Sequence, residues 1–268
     1  MEHCMLKYRS SRISYYKFGS GSRPAFCFHG YGEKAESYSF LEKYAGSQFT
    51  FYSIDLPFHG KTEWNEGLDF SSTELQEICI EICEIKNQPW TLIGFSLGGR
   101  IALSLYQAKP SAVERLVLLA PDGLKVNFWY WLATQNIVGN RFFAFTMKKP
   151  YWFFGFLKGL NKIGLVNASI FKFVNYYIGD KEIRQQLYNR WTALRRLKPN
   201  LNRIKSFIKK HKTPVRLVYG RHDRIILASV GEKFRKGIVE YCTISVIPSG
   251  HQVLHEKHVE DILPALLH

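Results

Sequence analysis

The sequence predicts an α/β protein: a mostly parallel central sheet with helices on both faces and a helical insertion. Three observations predict it. Strand-like runs recur with helical stretches between them. Two of the runs, "ERLVLLAP" (114–121) and "PVRLVYG" (214–220), are almost continuously apolar, as strands buried on both faces are. One long segment, 121–212, then breaks the alternation. The 268 residues are 46% hydrophobic, enough for one large core.

The elements follow in order. "ISYYKF" (13–18), "PAFCFHG" (24–30) and "FTFYSID" (49–55) are rich in aromatic and β-branched residues and end at turn signals. In "SSTELQEICIEICEI" (71–85), Ser71 and Glu74 have capping-box spacing, and Leu75, Ile78, Cys79, Ile82 and Ile85 form a helical stripe. "PWTLIGF" (89–95) reads as a strand. "LGGRIALSLYQAK" (97–109) reads as a helix stopped by Pro110. After the strands at 114–121 and 214–220, "CTISVIP" (242–248) is the last strand, and "HQVLHEKHVEDILPALL" (251–267) is expected to be largely helical.

The division expected is a core of 1–120 and 213–268 with a helical cap of 121–212. A structureless loop of that length has no place in a compact domain. The cap holds 18 Lys/Arg and only three acids, Asp122, Asp180 and Glu182, whereas the rest of the chain balances at 19 and 19. The whole net charge of +15 therefore sits in this segment. It also carries 16 Phe/Trp/Tyr between 121 and 178. The aromatics read as packing of the cap on the body or as a pocket for an apolar acyl or aromatic group, and the basic residues as a solvated outer face or as a patch for an acidic head group, a carrier or a peripheral contact with an anionic membrane. The segment matches no nucleic-acid recognition module, so no nucleic-acid partner is expected. Its longest uncharged stretch, 126–140, contains Asn127, Gln135, Asn136 and Asn140 and is too polar for a membrane span. The first residues carry no apolar run of the secretory kind, and five cysteines without a CxxC pair suggest neither a disulfide framework nor a metal site. A cytoplasmic location, with membrane association as an alternative, is the expectation.

"LIGFSLGGR" (92–100) holds the chemical signal. Gly94-Phe95-Ser96-Leu97-Gly98 is G-x-S-x-G between a buried strand and a helix. A strand-to-helix turn that sharp crowds the flanking backbones, so the positions two before and two after the serine must be small. The serine is then held up at a helix N-terminus, which favours negative charge. A serine hydroxyl needs a base within hydrogen-bond reach and a carboxylate to orient that base. "RHDRI" after the strand at 214–220 offers Asp223, and "SGHQ" after the last strand offers His251. Asp122 in "LLAPDG" also follows a strand and is a second candidate for the acid.

With "FHGYG", "DLPFHGKT", "LIGFSLGG", "VYGRHD" and "SGH", the chain resembles the α/β-hydrolase superfamily over nearly its whole length. The resemblance implies the α/β-hydrolase fold with its cap, Ser96 as nucleophile, Asp223 as orienting acid and His251 as general base. It also implies an oxyanion hole from the backbone N–H groups of Tyr31 and Leu97, and no metal or organic cofactor. His29 is expected to shape the oxyanion turn. Phe58 in "DLPFHGKT" stands where the family usually has Gly. Phe95 and Arg100 are candidate substrate contacts. "GFSLGGR" also resembles, more weakly, the menaquinone-pathway SHCHC synthases, in which the arginine equivalent to Arg100 meets a substrate carboxylate. Three readings follow. The first is a hydrolase of a carboxylic ester or thioester with an apolar acyl or aromatic group. The second is a lyase using the same triad with Arg100 on an anionic small molecule. The third is a ligand-binding or membrane-docked protein on this fold.

Overall fold

Eight strands form one sheet in the computed structural model, which describes residues 1–125, 128–162 and 178–267. In chain order the described elements begin with β1 (Glu2–Tyr8), β2 (Ser11–Phe18), β3 (Arg23–Phe28), α1 (Leu41–Ala45), β4 (Phe49–Ile54), α2 (Ser72–Ile82), β5 (Trp90–Phe95), α3 (Leu97–Ala108) and β6 (Val113–Leu119). They continue with α4 (Phe128–Gln135), α5 (Ile137–Lys148), α6 (Tyr151–Lys162), α7 (Lys181–Ala193), α8 (Leu201–His211), β7 (Val215–Gly220), α9 (Ala228–Arg235), β8 (Cys242–Ile247) and α10 (Val259–Leu267). The sheet order is β1-β2-β4-β3-β5-β6-β7-β8. β1 and β2 form an antiparallel hairpin, and β2 pairs antiparallel with β4. Every pairing from β4 to β8 is parallel.

The expected strands all form. β1 is an addition: it lies on the sheet edge, and most of its residues are at least partly exposed. Central strands β4 and β5 are buried throughout, which requires cover on both faces. On one face Leu41 and Ala45 of α1 and Ile262 and Leu266 of α10 join Cys27, Ile93 and Val117 in a continuous apolar cluster. α3 packs against both α2 and α8, and its Tyr106 donates to Thr213 Oγ1, just past α8, at 2.9 Å. The capping box of α2 forms as its sequence predicts: Ser71 Oγ accepts from Glu74 N–H, and Glu74 accepts from Ser71 N–H at 2.8 Å. β8, the other edge strand, has its four middle residues at least partly exposed. All five cysteines are free thiols.

The chain divides into two compact units. The larger comprises Met1–Glu66, Phe70–Lys125 and Arg196–His268; the smaller comprises Gly67–Asp69 and Val126–Arg195. The smaller unit is thus shorter than the expected insertion of 121–212. α8 belongs to the larger unit, because Ile204 and Ile208, one helical turn apart, are wholly buried there. Within the smaller unit α4, α5 and α7 pack through aromatic rings. Tyr130 meets Trp191 at 5.3 Å, and Phe143 meets Tyr188 at 5.5 Å between centroids. Asn136 caps α5 by accepting from Val138 and Gly139 N–H, and Asp180 caps α7 in the same way from Glu182 and Ile183. Among the described residues no helix is long and apolar enough to cross a membrane.

Candidate active site

Between β5 and α3 the chain turns on one residue. Ser96 has φ 50° and ψ −115°, a left-handed conformation that costs an ordinary side chain energy and needs surrounding structure to hold it. Its N–H donates to Leu119 O at 2.9 Å, and its carbonyl accepts from Gly99 N–H at 2.9 Å and Asp122 N–H at 2.8 Å. The crowding expected two residues to either side is present. A Cβ on Gly94 would lie 2.3 Å from Gly98 O, and one on Gly98 would lie 1.7 Å from Phe28 O. Within 91–100, Ser96 is the one residue that keeps partial exposure.

Asp223 and His251 follow β7 and β8 and converge on this serine. His251 Nε2 lies 2.9 Å from Ser96 Oγ, and its Nδ1 lies 2.8 Å from Asp223 Oδ2. The Asp223 side chain is fully buried, whereas that of His251 is 21% exposed. A carboxylate buried in this way requires donors. Ile225 and Ile226 N–H supply two to Oδ1, at 2.7 and 3.0 Å, and the imidazole supplies the third to Oδ2. Since a carboxylate only accepts, Nδ1 carries the proton, and the Nε2 lone pair of a neutral ring faces the serine hydroxyl. The other candidate acid, Asp122, is placed differently. Its Oδ1 accepts from Gly123 N–H at 2.7 Å, and its Oδ2 lies 3.5 Å from Arg100 Nε.

The remaining sequence candidates fall around this centre. Leu97 is the first residue of α3, so its N–H belongs to the helix turn that has no carbonyl of its own to meet. Tyr31 lies in the turn after β3, its ring edge-on to His59 at 6.0 Å. His29 is wholly buried; its Nδ1 lies 2.8 Å from Gly30 O, and its Nε2 accepts from Leu56 N–H at 3.2 Å. Phe95 is only 2% exposed and packs its ring 5.4 Å from that of His251. It backs the imidazole from inside the core rather than standing at the surface. Arg100 is likewise buried, beside Asp122. Phe58 takes φ 63°, a left-handed position that fits the glycine expected there and that this chain fills with a bulky residue. The loop holding it is fixed by Asp55, which accepts from Ala35 N–H, Lys61 N–H and Ser14 Oγ.

Glu33 was not singled out in the sequence. It accepts from Gln252 Nε2 at 2.9 Å, which joins the turn after β3 to the residue next to His251. Its Oε2 is buried without a hydrogen-bond partner, and burial pushes its carboxyl above the usual range, against the opposing effects of Gln252, Gly30 and His251. The available signal was its place three residues after Gly30 in "HGYGE".

A model of the alpha/beta hydrolase fold family matches residues 26–258. Uncharacterized hydrolase YugF of Bacillus subtilis (strain 168) is 22% identical over 260 residues, covering 91% of this chain and 90% of that one. Pimeloyl-[acyl-carrier protein] methyl ester esterase of Salmonella heidelberg (strain SL476) is 28% identical over 103 residues, 38% of either chain. Among solved structures, a probable hydrolytic enzyme from Pseudomonas aeruginosa PAO1 aligns with a TM-score of 0.69 at 16% identity, covering 100% of this chain and 94% of that one.

Proposed function

The chain belongs to the alpha/beta hydrolase fold family, and from that premise we propose that it is a serine hydrolase acting on a carboxylic ester or thioester with an apolar acyl or aromatic group. The observation that carries this reading is the position of the His251 ring, within hydrogen-bond distance of both Ser96 Oγ and Asp223 Oδ2. His251 Nε2 takes the hydroxyl proton as Ser96 Oγ attacks the substrate carbonyl. Asp223 fixes the ring and offsets the positive charge it gains. The oxyanion is held by the N–H groups of Leu97 and Tyr31, each worth about 3–4 kcal/mol in the transition state. The imidazolium then protonates the departing alcohol or thiol. A water deprotonated by His251 attacks the acyl-enzyme, Ser96 regains its proton, and the free acid leaves. The scheme uses only side chains, backbone and water.

An acyl ester is also the substrate named for the pimeloyl-carrier esterase, whose similarity covers 38% of this chain and favours acyl chemistry. The lyase alternative requires Arg100 for a substrate carboxylate. With Asp122 within 3.5 Å of that guanidinium, the hydrolytic reading is preferred. The partners in this reading are a small-molecule substrate, in the cytoplasm, and an anionic membrane touched peripherally by the basic insertion. A fluorophosphonate probe tests the nucleophile: it should label wild-type protein on Ser96 and leave Ser96→Ala unlabelled. p-Nitrophenyl esters of graded chain length should be turned over by wild type and not by Ser96→Ala. Folded wild-type protein that neither reacts with the probe nor hydrolyses any ester would overturn the proposal.

A further inference from the structure

Two helices of the smaller unit expose large apolar side chains. On α5, Val138, Phe142 and Phe145 are exposed at a three-to-four-residue spacing, while Thr146 and Met147 are buried on the other side. α6 repeats the arrangement: Trp152 and Phe156 are exposed, and Leu157 is buried. The two exposed faces meet, because the Trp152 ring lies 5.1 Å from that of Phe142 and 6.4 Å from that of Phe145, between centroids. One continuous aromatic patch results. A core helix turns such residues inward; here they face solvent.

The charges carried by these two helices are all of one sign. Arg141 and Lys148 are exposed on α5, Lys149 directly after it, and Lys158 and Lys162 on α6. No acidic residue occurs anywhere between Asp122 and Asp180. Exposed Trp and Phe flanked by Lys and Arg, with no carboxylate, are what a helix lying in the interface of an anionic bilayer requires: rings enter the acyl boundary while ammonium groups stay at head-group level.

We propose that the outer face of α5 and α6, centred on Phe142, Phe145 and Trp152, docks on an anionic lipid bilayer. This rests on the reading of the basic insertion as membrane-facing and assigns that contact to particular side chains. It is independent of the triad.

The test uses the full chain in flotation with phosphatidylcholine vesicles, with and without about one-third phosphatidylserine. Wild type should float strongly with the anionic vesicles and only weakly with the neutral ones. Added salt should weaken the binding without abolishing it, because the rings contribute a part that salt does not screen. Lys148→Glu/Lys149→Glu should lower affinity by roughly fivefold or more per lysine. Phe142→Ser/Phe145→Ser should lower it by about tenfold or more. Both variants alter exposed positions and should keep wild-type circular dichroism and turnover of a soluble short-chain ester. Brominated lipid should quench more tryptophan fluorescence in wild type than in Trp152→Phe. Wild type that ignores anionic vesicles, variants that float as wild type does, or a stable dimer lost in Phe142→Ser/Phe145→Ser without any vesicle binding would each overturn the proposal. Ser96→Ala separates the two readings. If it floats normally while wild type hydrolyses nothing, the catalytic reading fails and the docking face stands.

Discussion

Asp223→Asn probes the site most sharply, because the structure dictates how the amide must sit. Oδ1 of Asp223 receives two backbone N–H groups, from Ile225 and Ile226. Only an oxygen can accept both, so in the variant the amide oxygen takes that position and the NH2 group faces His251 Nδ1. Two donors cannot face each other, so Nδ1 gives up its proton and the ring carries it on Nε2 instead. Nε2–H then points at Ser96 Oγ, 2.9 Å away, and can no longer accept the hydroxyl proton. Loss of the correct tautomer costs about 10⁴-fold in kcat in a serine triad. That corresponds to about 5.5 kcal/mol of transition-state stabilisation. The fold loses only the charge reinforcement of three hydrogen bonds and should change by about 1 kcal/mol or less. The assay pairs kcat on p-nitrophenyl acetate with thermal denaturation. Asp122→Asn is the control. Its carboxylate meets Gly123 N–H and Arg100 but not the imidazole, so kcat should stay within a few-fold, with a stability loss of about 1 kcal/mol. An Asp223→Asn enzyme within tenfold of wild type, or an Asp122→Asn enzyme the more impaired of the two, would refute the reasoning.

Other substitutions test the framework. Gly98→Ala drives a Cβ to 1.7 Å from Phe28 O and should cost several kcal/mol, whereas Gly155→Ala in α6 meets nothing within 4 Å and should gain up to about 1 kcal/mol, both read by chemical denaturation. Lys212 closes α8 in the left-handed conformation at φ 53° with an exposed side chain, so Lys212→Gly should raise stability by roughly 1 kcal/mol in the same assay. Glu33 holds its proton more tightly folded than unfolded, so it favours the folded state at low pH, and that contribution is lost as pH rises through its elevated pKa. Glu33→Gln should therefore gain melting temperature relative to wild type between about pH 4 and about pH 7. A constant difference across that range would contradict the account.

Most of the frame was legible because buried parallel strands announce themselves. β6 and β7 carry the two almost continuously apolar runs, and β4 and β5, rich in aromatic and β-branched residues, are wholly buried. β1 is not legible, because an edge strand half in water has no such run. The lysines and arginines of α8 continue the charge of the insertion, which hides its membership of the larger unit, where Ile204 and Ile208 anchor it. The last helix was expected from 251, but regular α-helix begins at Val259 after a 3-10 turn at Glu256–His258. The residues before it are bent by bonds such as Val253 N–H to His251 O, which leaves the imidazole on a loop. At the site, residue types and chain order suggested Ser96, Asp223 and His251, because a nucleophile elbow and strand ends are local signals. Both Asp223 and Asp122 follow strands; the resemblance carried by "VYGRHD" favours Asp223, while which carboxylate lies beside the imidazole is a matter of long-range geometry. The Glu33–Gln252 bond was illegible for the same reason: its partners lie 219 positions apart.

The three groups at the centre do not share one mechanical fate. Ser96 is rooted in the interior of the sheet, flanked by β3 and β6, whereas His251 hangs beyond β8, a border strand hydrogen-bonded to a neighbour on one side only. Fraying of that border would carry the imidazole off while the hydroxyl stayed in place. Heat should thus silence the protein before it melts, and the silence should lift on cooling.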